Sequence, residues 1–284
     1  MKAPPFSYAR AHTLDDVFEL LAVHGEGAKL LAGGQSLLAA LNLRLSSPDI
    51  LIDISRIADL AGIKVAGDKI HVGALTTHAE IEQSRDIAAN LPLLAQAAPH
   101  IAHAAIRNAG TIGGSIAMAD PAAEWPACCV ALDAGFVIAA RSGARRVKAR
   151  DFFKGVYATD LRPGEVLTGV EFPLPGAGHR SAFLEVTRRR GDYAMVGVAA
   201  VARIADGALS DLRLAYLGAG EMPILARGAM AELEGNRPSL DAAAAAAAAL
   251  AGDLSPASDI HATAATKLHL ARVLTGRAIA MLAA

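Results

Sequence analysis

The chain has 284 residues, 53% of them apolar, with 27 basic against 28 acidic side chains and a net charge of −1. That length leaves room for two domains of ordinary size. The balanced charge, and aromatics at only 4%, exclude a polyanion-binding surface and a base-stacking platform, so nucleic acid is not an expected partner.

No charge-free apolar run approaches the roughly 20 residues that cross a bilayer. The nearest, Ala242 to Ala251, reads as an alanine-rich helix. The start, Met-Lys-Ala-Pro-Pro-Phe, has no apolar h-region, so no secretory signal or membrane span is expected and a cytoplasmic location is.

Pro4 and Pro5 predict an extended opening. Thr13 then caps a helix carrying Leu14, Val17, Phe18 and Leu21, which stops at His24-Gly25. Lys29-Leu30-Leu31-Ala32 reads as a short buried strand that ends in Gly33-Gly34. Gln35 and Ser36 follow, and Leu37, Leu38, Leu41 and Leu45 keep helical spacing up to Pro48. Ile50 to Ile54 is another buried strand, so the segment is a βαβ unit and implies a small parallel sheet.

From about residue 57 the pattern alternates. Ile63 to Val65 and Ile70 to Val72 form a hairpin around Gly67-Asp68, and Thr76 or Thr77 caps a short helix through Ile81. Leu91 to Ile106 is helical but interrupted at Pro92 and Pro99. Asp120 is expected to cap a helix beginning at Pro121. Strands at Phe136 to Ala140, Arg146 to Ala149 and Val166 to Phe172 make this region mainly antiparallel, and Pro173 to Gly178 marks a boundary. Beyond it come strands Ser181 to Thr187, Gly197 to Ile204 and Leu209 to Leu217. Helices at Leu225 to Leu233, Leu240 to Ala251 and Asp259 to Leu282 follow, the last with a stripe of Leu268, Ala271, Leu274, Ala278 and Met281.

Two glycine-rich stretches carry the chemistry. Gly33-Gly34 opens a loop ahead of the helix at Leu37, and Thr111-Ile112-Gly113-Gly114-Ser115 answers it downstream. Diglycine is common punctuation, and a plain turn remains the alternative for each. Glycine also lets backbone amides approach an anion closely, while Ser36, Thr111 and Ser115 add hydroxyls, so both stretches suit a diphosphate. No Gly-x-Gly-x-x-Gly and no Gly-Lys-Ser/Thr loop occurs. The only cysteines, Cys128 and Cys129, are adjacent and read as small apolar residues of a buried helix, which excludes cluster ligation by this chain alone. His100 and His103 lack a third ligand, and Arg188, Arg189 and Arg190 read as a solvated strand end or an inter-subunit patch.

Taken together, Ala32-Gly33-Gly34-Gln35-Ser36-Leu37, Leu43-Arg44-Leu45, Leu51-Ile52-Asp53-Ile54, Ile106-Arg107-Asn108 with Thr111 to Ser115, Asp120-Pro121-Ala122-Ala123-Glu124, Arg189 to Ala194 and Ser258 to Ala264 closely resemble the FAD-binding medium subunit of molybdenum hydroxylases. Aerobic carbon monoxide dehydrogenase and the flavin domain of xanthine dehydrogenase belong to that family. The resemblance implies an α+β chain. A p-cresol-methylhydroxylase-type FAD domain would occupy residues 1–176, with a βαβ subdomain to 56 and a mainly antiparallel one after it, and a C-terminal flavoprotein domain would occupy 177–284.

The resemblance further implies that Lys29 to Ser36 and Thr111 to Ser115 hold the FAD diphosphate and ribityl. Glu124 would lie near the adenosine, Ile101 and Leu167 would border the flavin, and Tyr193 would lie against the isoalloxazine. Ala39 stands where many members have proline. Glu185 stands where many carry a lysine near the flavin, so that contact is not carried over. The implied work is electron relay with no substrate acid or base on this chain. A large molybdopterin subunit oxidises substrate, a small subunit conducts through iron–sulfur clusters, and FAD here passes electrons to an external acceptor, within a dimer of heterotrimers. Two rivals are a stand-alone reductase of the UDP-N-acetylenolpyruvoylglucosamine reductase type and a non-catalytic assembly subunit.

Overall fold

The computed structural model describes residues 2–284. Strand β1 (Ser7–Arg10), helix α1 (Leu14–His24), β2 (Ala28–Leu31), α2 (Leu37–Asn42) and β3 (Ile50–Asp53) build a parallel sheet in the order β1-β3-β2. Thr13 closes a capping box on α1: its hydroxyl accepts from the Asp16 amide, and Asp16 accepts from the Thr13 amide. β3 is central and buried along its whole length, whereas β2 is an edge strand whose Leu30 and Leu31 are only half-buried. The expectation of a buried strand at Lys29 is corrected accordingly. The leucine face of α2 is corrected too: Leu41 is buried, but Leu38, Leu43 and Leu45 are exposed because the helix ends at Asn42 and Arg44 turns the chain at φ 57.

A hairpin of β4 (Ile63–Ala66) and β5 (Lys69–Gly73) follows, then a helical run of α3 (His78–Gln83), α4 (Arg85–Asn90), α5 (Pro92–Ala97), α6 (Ala104–Arg107), α7 (Ile112–Met118) and α8 (Glu124–Ala131). After these come β6 (Gly135–Ala140), β7 (Gly143–Lys148), α9 (Ala149–Phe152), the small pair β8 (Phe153–Gly155) and β9 (Ala158–Thr159), and β10 (Val166–Pro173). The main sheet has the order β4-β5-β10-β6-β7 and is antiparallel throughout. Asp120 does not cap a helix at Pro121; it accepts from the Ala122 amide in a tight turn, and α8 starts later, at Glu124. Every residue of α8 is buried, including Cys128 and Cys129. Burial pushes both thiols well above the usual cysteine range.

Strands β11 (His179–Val186), β12 (Val196–Ala205), β13 (Ala208–Leu217) and β14 (Ile224–Leu225) form an antiparallel sheet in chain order, followed by α10 (Arg227–Leu233), α11 (Leu240–Asp253) and α12 (Ala264–Ala283). α10 starts two residues late because Ile224–Leu225 pairs with β13. α12 is capped by Thr263, not begun at Asp259, whose carboxylate instead accepts from the His261 and Ala262 amides and from Lys267. The buried stripe of α12 runs through Ala271, Leu274, Ala278 and Leu282, leaving Met281 exposed. One face of this sheet packs on the three C-terminal helices, and the other packs on α5 and α8.

Candidate functional site

The two glycine stretches meet. A β-carbon on Gly33 would lie 2.0 Å from the carbonyl oxygen of Ala109 and 2.8 Å from Cα of Gly110, so the first loop is pressed onto the chain just ahead of the second. Gly34 adopts φ +72, a conformation that L residues avoid, and Gln35 donates back to the Gly33 carbonyl through its side-chain Nε2 at 2.9 Å. The backbone N–H groups of Gly33, Gly34, Gln35, Ser36 and Leu37 donate to no acceptor among the described residues. Ser36 makes no capping bond with its side chain. This row of free donors at a half-exposed bend is the chemistry that a phosphate oxygen requires.

The second stretch works differently from its expected form. Gly113-Gly114 is not a bend: it lies in the first turn of α7, and Thr111 caps that helix by accepting from the Gly114 amide at 3.1 Å. The amides of Ile112 and Gly113 donate to the carbonyls of Thr76 and Ala74. Gly113 is needed for contact, since its β-carbon would lie 2.5 Å from that of Ala74. Gly114 is exposed, with only the Thr111 hydroxyl near its missing β-carbon. The second stretch therefore offers the hydroxyls of Thr111 and Ser115 and an open glycine face, while the first offers main-chain amides.

Around this floor, Thr77 and Thr111 form a bridge, and His78 packs under Gly110. Trp125 Nε1 donates to His78 Nδ1 at 2.9 Å. Burial, then the Arg107 charge, lowers the His78 pKa to about 4, so the ring is a neutral acceptor. Arg107 forks onto Glu82 and donates to the carbonyls of Ile101 and Ala102 at 3.1 Å, fixing a turn in which Ala102 takes φ 44. Leu167 is buried on β10 at a bulge, and its neighbour Thr168 accepts from the Ala74 amide. The loop that carries Tyr193 closes onto the same place: Gly191, at φ +86, lies against Ala102 and His103. Tyr193 is 69% exposed. Lys29 points to solvent, while Leu30, Leu31 and Ala32 are half-buried behind the loop.

Glu124 is buried at the start of α8. Burial first, then Glu185, then Asp120, pushes its pKa up to about 8. The Glu185 side chain, for which the sequence carries no local signal of burial, is 2% exposed, with His100 Nδ1 at 3.2 Å from Oε1 and no partner on Oε2 among the described residues. The arginines Arg188, Arg189 and Arg190 are exposed.

The residues present fit a dinucleotide. Free backbone amides of Gly33 to Leu37 are pressed onto the chain that leads to the Thr111 and Ser115 hydroxyls, the donor set that a phosphate oxygen takes. Residues 4–175 match the FAD binding domain in molybdopterin dehydrogenase, and residues 181–282 match the CO dehydrogenase flavoprotein C-terminal domain. The 6-hydroxypseudooxynicotine dehydrogenase complex subunit alpha of Paenarthrobacter nicotinovorans is 40% identical over 99% of this chain and 95% of its own. Carbon monoxide dehydrogenase from Hydrogenophaga pseudoflava superposes with a TM-score of 0.97 at 38% identity, covering 99% of this chain and 98% of that one. Quinoline 2-oxidoreductase from Pseudomonas putida 86 gives 0.94 at 39% identity, covering 100% and 98%. With both of its parts matched in order and relatives aligned end to end, the chain belongs to the FAD-binding medium subunits of molybdenum hydroxylases.

Proposed function

We propose that this chain relays electrons: it takes them singly from the iron–sulfur clusters of a small partner subunit, collects them on FAD, and delivers them to an external acceptor, while a large molybdopterin subunit oxidises the substrate. The bound flavin supplies the one- and two-electron chemistry that such an exchange needs. The observation that carries the reading is the contact of Gly33 with Ala109–Gly110, which joins a row of free amides to the Thr111 and Ser115 hydroxyls. In this assignment Lys29 to Ser36 and Thr111 to Ser115 hold the diphosphate and ribityl. Ile101, Leu167 and Tyr193 border the ring, Glu124 contributes from the start of α8, and residues 1–176 and 177–284 act as the two domains.

Leu38 on α2 and Leu43 and Leu45 in the turn just after it are exposed apolar residues close in the chain, which suits a chain that works inside a complex. No helix among the described residues is long and apolar enough to cross a membrane. The test is to purify the chain alone and with its two partners. The isolated chain should carry one FAD and stay oxidised when substrate is added, and the flavin should be reduced only when the cluster-bearing partner is present. Substrate turnover by the isolated chain, or a chain that binds no flavin, would refute the relay.

A further inference from the structure

Ser181 on β11, Val201 on β12 and Arg213 on β13 stand in one row of the C-terminal sheet, Ser181 opposite Val201 and Val201 opposite Arg213. Directly opposed residues share a face. Two positions along, Phe183, Ala199 and Ala215 lie on that same face and belong to the apolar cluster that includes Leu91, Leu93 and Leu132, so the row looks toward the first part of the chain. There it walls a cavity of about 110 Å³ together with Leu91, Leu93, Leu132 and the linker from Pro173 to Gly176. His179 Nδ1 lies 3.0 Å from the Gly176 carbonyl, which ties that linker to β11. Arg180, also at the rim, turns to the opposite face, where its Nη1 donates to the Leu282 carbonyl at 3.3 Å. No carboxylate among the described residues lines the cavity. Arg213 is half-buried, and its Nε donates to the Ala131 carbonyl at 2.6 Å, which fixes the guanidinium. Its two terminal nitrogens have no partner among the described residues. A guanidinium drawn partly out of water beside leucines costs free energy until an anion meets it.

We propose that this junction cavity binds a small monocarboxylate, whose oxygens accept from the two terminal nitrogens of Arg213 while a short apolar tail or single ring lies among Leu91, Leu93, Leu132, Leu174 and Val201. The planar fork of a guanidinium matches the two oxygens of a carboxylate, and the bond that Nε makes to Ala131 leaves the far edge of the fork for the ligand. An apolar cavity of about 150 Å³ holds benzene, so this smaller one, open at its mouth, takes a tail of roughly four to six carbons. Apolar walls with one well-placed charge are the general form of a small-molecule site. None of the residues that line it belongs to the proposed flavin site. The bound ligand touches the start of α5 and the linker on one side and β11 to β13 on the other, so it joins the two parts of the chain and stabilises their junction by mass action.

Hexanoate is the probe, titrated into the full chain by calorimetry and followed by methyl NMR. It should bind, give intermolecular Overhauser contacts to the methyls of Leu93, Leu174 and Val201, and raise the melting temperature. 1-Hexanol keeps the tail and acetate keeps the carboxylate; each should bind about tenfold more weakly or worse. Arg213→Met keeps an apolar stem and should weaken hexanoate about tenfold or more, the loss of a charged hydrogen-bond donor, while leaving hexanol unchanged. Arg188→Ala, an exposed arginine that does not line the cavity, should alter neither. In the wild-type chain alone, failure of hexanoate to bind, contacts only to methyls elsewhere, or equal affinity for hexanoate and hexanol overturns the site. Equal losses in Arg213→Met and Arg188→Ala overturn Arg213 as its anchor.

Discussion

At Gly33 the absence of a side chain is a packing requirement, because any β-carbon would overlap the Ala109 carbonyl. Gly33→Ala should therefore separate the two loops, costing roughly 1–3 kcal/mol and most of the bound flavin. Gly114→Ala is the milder case: its β-carbon would meet the Thr111 hydroxyl alone, at 3.0 Å, so the cap on α7 must give by a few tenths of an ångström against the about 0.5–1 kcal/mol that alanine brings to a helix. That variant should melt close to the wild-type temperature yet bind flavin more weakly, read by flavin titration beside a thermal melt. The buried titratable groups make a further prediction on pH. His78 has its pKa lowered from 6.5 to about 4. The unfolded chain therefore holds the extra proton across that window, and stability is lost as pH falls from 6.5 through 4. Glu124 has its pKa raised from 4.5 to about 8, so the folded chain holds the extra proton and stability is lost as pH rises from 4.5 through 8. Denaturant titrations should show the acid arm flattened in a His78→Gln variant and the decline from pH 6.5 to 8 flattened in Glu124→Gln.

At the scale of elements, the site depends on short segments held by side chains rather than by long helices. Arg107 ties α6 to Glu82 on α3 and to the Ile101 and Ala102 carbonyls, so it sets the turn on which the Tyr193 loop rests. Lysine cannot reproduce that fork. Arg107→Lys should leave the sheets intact, cost about 1–2 kcal/mol, and speed amide exchange at residues 101–103 and 191. The same scale explains what was legible in the sequence. The turn at Gly33-Gly34, the parallel unit around it and the cap at Thr13 depend on neighbours close in the chain, and local chemistry reveals them. The helical state of Gly113-Gly114 depends on Ala74 and Thr76 capturing two amides from far upstream, so glycine's usual preference for a bend was overridden by packing. The burial of Glu185, noted in the sequence only as a departure from a common lysine, could not be read there, because it arises where β11 meets the distant Pro99–His100 turn.

For the whole molecule, the segments matched separately at residues 4–175 and 181–282 are not independent bodies. Phe183, Ala199, Val201, Ala215 and Leu217 join the same buried cluster as α8 and α5, and polar staples cross the same junction. Gln96 Oε1 accepts from the Phe183 amide at 3.0 Å, Arg213 Nε donates to the Ala131 carbonyl at 2.6 Å, and the Gly218 amide donates to the Pro121 carbonyl at 2.8 Å. A shared apolar face of this kind couples the stability of one part to the other, unlike the loosely joined domains that polar interfaces allow. Trp125, the single tryptophan, is fully buried in α8 at this junction. Its fluorescence reports the junction, whereas far-ultraviolet circular dichroism reports the helices of both parts, with α11 and α12 the two longest. The two probes should give coincident thermal transitions in wild type. Arg213→Ala, which removes one staple without touching the apolar face, should shift both together by a few degrees. Separation of the curves, with Trp125 exposed before the C-terminal helices melt, would show that the C-terminal sheet stands on its own and that the flavin floor, which Trp125 supports through His78, is the weaker part.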